Sequence, residues 1–234
     1  MFAPIQVSGV RGRARGLDVV QDSIVEVGIV AESGACFATV VRPPNVPSEP
    51  DCSNTVHGIP AAELQAGPDF VTAFARMVAF LEHLQVSTVA CDSDSDTSPR
   101  EIKTYSDPPP QLLVVAHNGL KFDFPMLASE VFRSGVDFKP LQRWLVVDTL
   151  DVFRAGAAPC VKLQCLYKEL AADRSLRAHR ALDDAIALRS VALTQAERYG
   201  IGLQELFAPF VVECDIGETT VQEKSLRLSR NMSD

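Results

Sequence analysis

Residues 112–135 read LLVVAHNGLKFDFPMLASEVFRSG, and this stretch decides the fold. Leu112 to Ala116 is apolar at every position, the mark of a strand covered on both faces rather than on one. Pro125 to Arg133 follows as a predicted helix closed by Gly135, the residue type that helix ends favour. A buried strand that runs through a short polar loop into a helix is the repeating unit of an α/β sheet. The unit recurs downstream. Trp144 to Val147 is a second buried strand ending in Asp148-Thr149, while Lys162 to Ala171 and Ala181 to Tyr199 are predicted helices, the latter stopped by Gly200.

Upstream, Ser23 to Ala31 and Ala35 to Arg42 are β-branched runs around Glu32-Ser33-Gly34, so they form a hairpin. Pro43 to Pro60 is a loop. From Asp69 to Leu84, Phe70, Phe74, Val78, Leu81 and Leu84 recur three or four apart behind Pro68-Asp69, an amphipathic helix with a capping signal. Gln85 to Gln111 is acidic and rich in Ser and Pro, a solvated loop. Pro4 to Val10 reads as a poor opening strand, because Ser8 and Gly9 fall in its middle. The fold class is therefore α/β: a mixed sheet, antiparallel meander first and parallel strands after, flanked by helices on both faces. The boundaries expected are an atypical segment at 1–15, a domain at 16–212 that contains the loop 85–111, and a polar tail at 213–234.

The chain's 234 residues suffice to bury one large core. With 47% hydrophobic and 22% charged residues it is neither collagen-like, disordered nor membrane-spanning. Its formal net charge of −8 argues against a generic whole-surface DNA binder, but not against a small site that handles phosphates through cations. Six cysteines, at 36, 52, 91, 160, 165 and 214, include no Cys-x-x-Cys pair and read as buried or free thiols in a reducing compartment rather than a disulfide framework. The first 17 residues hold Arg11, Arg13 and Arg15 and no acid, a composition that transit segments share.

Three acids sit where strands end or inward helix faces begin, the place where sites collect in α/β sheets: Asp123, Asp148 and Asp184. Asp123 has two open readings, as a cap of the helix after it or as a functional carboxylate. Asp148, followed by Thr149, reads as a cap. At about 100° per residue Asp184 shares a helix face with Leu188, Val191 and Ala192, while Asp183 shares one with Ser190, Thr194 and Glu197. An inward carboxylate needs a cation or donors, so Asp184 is the metal-ligand candidate of the two. His179, five residues ahead of Asp184, belongs on the loop before the helix. Glu26 alternates with Val25 and Val27 and reads as structural.

Two segments carry a family resemblance. Val115-Ala116-His117-Asn118-Gly119-Leu120-Lys121-Phe122-Asp123 resembles the second motif of the DEDDh 3′–5′ exonucleases, ribonuclease H-like enzymes that include polymerase proofreading subunits. His179 to Ala185 resembles their third motif, His-x-Ala-x-x-Asp-Ala; Val147 to Leu150 and Val56-His57-Gly58-Ile59 match a strand end and the loop after the hairpin. The resemblance implies a metal-dependent phosphodiester hydrolase using two divalent cations, Mg²⁺ or Mn²⁺. Asp123 and Asp184 would be its metal ligands and, with His179 as the base that takes a proton from water, its catalytic residues. His117, Asn118 and His57 would bind substrate. The partners implied are single-stranded or 3′-ended DNA or RNA, with no membrane; a homodimer is a possible assembly. An intracellular location is expected, cytoplasmic or nuclear, with an organelle as the alternative that the Arg-rich start suggests.

The family's first motif, Asp-x-Glu, is missing. Gly16-Leu17-Asp18 and Asp22 to Gly28 match the family pattern downstream of that motif, and alignment through Gly16 puts Arg11 and Arg13 where the two acids belong. Arginine cannot bind a cation, and two of them repel one. Neither Glu26 nor Asp18 is positioned as a replacement. Three readings stay open: an N-terminus that departs from the native one, a non-catalytic module that binds nucleic-acid ends or a protein, and a true targeting segment. The sequence therefore reads as a 3′–5′ exonuclease that is impaired in this chain, with the non-catalytic module as the alternative.

Overall fold

The computed structural model describes residues 2–10, 22–46, 58–89, 112–156, 158–170 and 180–214. Six strands form one sheet: β1 Phe2–Val10, β2 Ser23–Val30, β3 Cys36–Val40, β4 Leu112–Ala116, β5 Trp144–Asp148 and β6 Val212–Glu213, in the order β3-β2-β1-β4-β5-β6. The helices among the described residues are α1 Ala61–Ala66, α2 Phe70–Val89, α3 Asp123–Ser134, α4 Thr149–Ala155, α5 Leu163–Leu170, α6 Ala181–Tyr199 and α7 Leu203–Phe207. β1, β2 and β3 pair antiparallel; β1 then pairs parallel with β4, and β4 with β5. The sheet is thus the expected meander followed by parallel strands, with β6 added antiparallel to β5 at the edge.

The opening segment corrects the sequence reading. Phe2–Val10 is a strand, and an interior one, between β2 and β4. Its ladder shifts register between Ser8 and Gly9, so the glycine that argued against a strand marks an irregularity within one. Pairing along both edges outweighs the segment's weak intrinsic preference.

β4 shows why an unbroken apolar run is needed. Leu112, Val114 and Ala116 pack with Phe74, Met77 and Leu81 of α2 and Met126, Leu127 and Val131 of α3. Leu113 and Val115 point to the other face, against Leu188 and Ala192 of α6 and Leu206 and Phe207 of α7. Alternate side chains of one strand therefore feed two cores, and helices cover both faces. Local signals fix the helix ends: Asp69 Oδ1 accepts the Thr72 amide at 2.9 Å, and Gly135 and Gly200 adopt φ of 64° and 65°. The backbone and side-chain bonds at Asp69 hold its carboxyl below the usual range. α3 is tied to the sheet by the buried Glu130, which accepts the Ile24 amide at 3.2 Å and pairs with Arg133 at 2.5 Å. No helix among the described residues is long and apolar enough to cross a membrane.

Candidate active site

The site lies at the carboxyl ends of β4 and β5, where Ala116 pairs with Asp148. Asp148 is the cap the sequence suggests, its Oδ1 accepting the Leu150 amide of α4 at 3.0 Å. The same carboxylate also grips the loop after β4: Oδ1 accepts the Asn118 amide at 2.8 Å and Oδ2 the Leu120 amide at 3.1 Å. Asn118 stands in the left-handed region at φ 61°, a conformation asparagine tolerates better than most residues. A Cβ at Gly119 would collide with the Ala116 side chain and the Phe124 ring. The loop is therefore held in one shape by two amide bonds and a glycine.

That loop presents His117. Its Nδ1 lies 2.9 Å from the Thr149 hydroxyl, which in turn donates to the Ala116 carbonyl at 3.3 Å. Burial pushes the imidazole below its ordinary value of 6.5, against the opposing pull of Asp148 and a bond to the Val161 backbone.

Asp123 opens α3 and is 2% exposed. The N-cap position of α3 is Phe122, which makes no side-chain capping bond, and Asp123 falls in the first turn of the helix. Asp184 comes from the first turn of α6. The expectation that Asp184 points inward while Asp183 does not is corrected in degree: both are half-buried. What separates them is direction, since Asp184 lines the cleft with Asp123 whereas Asp183 sits where its charge favours the Arg180 guanidinium.

α6 is anchored by a residue of the opposite end of the sequence. Glu26 of β2, 3% exposed, accepts Arg180 Nε at 3.0 Å and Nη2 at 2.8 Å, and its Oε2 accepts the Ala181 amide at 2.8 Å. The carboxylate thus caps the helix start and neutralises Arg180, whose charged form it stabilises further. Gly28 lets the helix come this close: a Cβ there would overlap the backbone of Ala181 and Leu182. Glu26 is structural, as its sequence pattern suggests, and its task is to set the helix that carries Asp184.

These elements border an open cleft of about 770 Å³. His117, Asn118, Asp123 and Asp184 all reach it, so four of the six site residues expected from sequence meet in one place. The other two, His57 and His179, lie outside the described residues, as do Arg11 and Arg13. Sequence reading missed the cleft's cations, Lys121, Arg154, Lys162 and Lys168. They come from three separate segments, so no local charge run announces them, yet they outnumber the two carboxylates in a chain of net charge −8. Among the described residues no group of three or more His, Cys, Asp and Glu is placed to hold a metal ion.

Known proteins agree with this architecture. No family model matches the chain. The exonuclease DPD1 of Arabidopsis thaliana, described as chloroplastic/mitochondrial, is 30% identical over 139 residues, 56% of this chain and 41% of that protein. The chain thus spans about two fifths of the length of that curated relative. Among solved structures, the nuclease domain of 3′hExo, a DEDDh family member bound to rAMP, superposes with a TM-score of 0.62 at 14% identity, over 85% of this chain and 92% of that one. A 3′-exonuclease structure concerned with recognition of the histone mRNA stem-loop gives 0.62 at 13% over 85% and 64%, and the cell-death related nuclease CRN-4 gives 0.58 at 11% over 85% and 64%. The fold is that of the ribonuclease H-like 3′-exonucleases. The resemblance of the sequence motifs to the DEDDh class is thus accompanied by a shared fold.

Proposed function

We propose that the cleft is a 3′–5′ exonuclease site, built to take nucleotides from the 3′ end of a DNA or RNA strand, and that this chain carries it in impaired form. One observation bears most of the weight: Asp123 and Asp184, 61 positions apart in sequence, line one cleft whose remaining charged residues are cations. Lys121, Arg154, Lys162 and Lys168 attract the phosphates of a strand, and the clamped His117-Asn118 loop offers a fixed surface to its last nucleotide. Residues 16–212, together with the opening strand β1, would form the nuclease domain. His57 would join the substrate contacts, and His179, just ahead of Arg180, would take the proton from the attacking water.

The donor set fits a hard divalent cation, because two carboxylates supply oxygen ligands. Asp123 and Asp184 would hold Mg²⁺ or Mn²⁺, which when bound would neutralise charge on the scissile phosphate. A second cation of the expected pair needs further acids, and β1 supplies none: FAPIQVSGV contains no Asp or Glu. The ladder sets Pro4 beside Val115, so the residues after Pro4 run alongside the end of β4, with Gln6 opposite Gly28 and Ser8 opposite Glu26. With Arg11 and Arg13 where the sequence pattern puts the two acids, the site would lack the acids that a two-cation centre requires.

Restoring them is the test. The purified chain with Mg²⁺ or Mn²⁺ and a labelled single strand is expected to bind without shortening it, whereas R11D/R13E is expected to gain metal-dependent shortening. Binding with no gain in the double variant would favour the second reading, a module that holds nucleic-acid ends, which the cationic rim suits by itself.

A further inference from the structure

One carboxylate holds two walls of the cleft. Asp148, buried at the end of β5, accepts the Asn118 and Leu120 amides of the loop after β4, and the Oδ1 that takes Asn118 also takes the Leu150 amide that starts α4. Its neighbour repeats the arrangement: the buried Thr149 sets its hydroxyl between His117 Nδ1 at 2.9 Å and the Ala116 carbonyl at 3.3 Å. Phe153, one turn further along α4, has its ring centroid 6.5 Å from that of His117. α4 is only seven residues long, so its first turn and Arg154 in its last turn move as one body. Leu150 and Arg154, four apart, share the helix face that lines the cleft. The ion pair of Arg154 with Asp151 at 3.3 Å is more than half exposed on both sides, a weak contact that yields to a phosphate.

We propose that Asp148 is a positioning residue that couples two contacts with a bound strand, Asn118 at the last nucleotide and Arg154 at a phosphate. The inference rests on the reading of the cleft as a strand-end site. Asp148 does not itself border the cleft, so it acts through the two residues that do. Asn118 stands at φ 61°, an uncommon conformation for a residue with a side chain, and the bond from its own amide to Asp148 helps to hold it there. With loop and helix fastened to one carboxylate, the spacing between the Asn118 carboxamide and the Arg154 guanidinium is set before the strand arrives. A strand that engages one contact then finds the other in place, and the ordering cost of the second is already met. Contacts joined in this way are cooperative: loss of either weakens what the other contributes. Without the clamp, each contact would act alone.

A mutant cycle on the full chain tests the coupling, with binding of a 5′-labelled single-stranded DNA oligonucleotide read by fluorescence anisotropy in EDTA. N118G removes the carboxamide while glycine accepts the backbone conformation, and R154Q removes the charge. In the parent chain the two together are expected to weaken binding by at least about threefold less than the product of their separate effects. R154Q alone should lower the slope of log affinity against log salt by about 0.7, and N118G should leave it unchanged. In D148A the two effects should multiply to within about twofold. D148N, which keeps the side chain's shape and one acceptor oxygen, is expected to show intermediate coupling. A purely structural Asp148 would change the Tm and leave the coupling at its parent value. Strand binding without coupling in the parent, or coupling in D148N equal to the parent's, overturns the assignment and leaves the strand-end reading standing. A parent chain that binds no strand overturns that reading and the assignment with it.

Discussion

Replacing Glu26 by alanine probes the link between the sheet and the helix that carries Asp184. The lost carboxylate leaves the Arg180 guanidinium and the Ala181 amide without their shared acceptor. Removing one partner of a buried ion pair costs about 3–5 kcal/mol. Two features place this case at the low end: Arg180's side chain is 18% exposed, and Glu63 lies 3.6 Å away, although that carboxylate is itself 44% exposed and a weak substitute. A loss of about 3 kcal/mol in a chain of this size lowers the Tm by about 6–12 °C. Glu26→Gln keeps an oxygen for the Ala181 amide but not the charge, and is expected to lose about half as much. Thermal unfolding followed by circular dichroism measures both. A Glu26→Ala melting point within about 2 °C of the parent would refute the anchoring role.

The cleft and its loop carry further expected outcomes. Gly28→Ala forces β2 and the start of α6 apart and is expected to lower the Tm by at least as much as Glu26→Gln, since the colliding atoms are backbone. His117 has a depressed folded-state pKa, so its contribution is present above 6.5 and is lost as pH falls from there towards the folded value, where the unfolded chain takes up a proton first. Tm measured from about pH 7 to about pH 5 should fall, and His117→Gln should flatten that fall. Neutralising Lys162 and Lys168 together should weaken single-strand binding and reduce the slope of log affinity against log salt by about 1.4, read by fluorescence anisotropy across a salt series.

Much of the fold is legible in the sequence because its signals are local. The apolar run at 112–116, the glycines at 135 and 200 and the cap at Asp69 each act within a few residues, and the elements they predict stand where expected. Phe2–Val10 escapes a sequence reading for the opposite reason: its strand is made by neighbours on both sides, which no property of its own residues reveals. The same logic divides the site. Asp123 and Asp184 announce themselves by their place at element starts. The second task of Asp148, gripping a loop 28 and 30 residues away, needs the parallel pairing of β4 and β5 before it can be seen. So do the cleft's cations, which scattered segments bring together inside an acidic chain.

The central claim is that this cleft holds a strand end but lacks the acids to cut it. Incubating the purified chain with Mg²⁺ or Mn²⁺ and a labelled single strand, with binding and product length read from the same samples, tests that claim most directly. The account predicts salt-sensitive binding and an undegraded strand. Robust metal-dependent shortening that disappears in Asp184→Asn would contradict it.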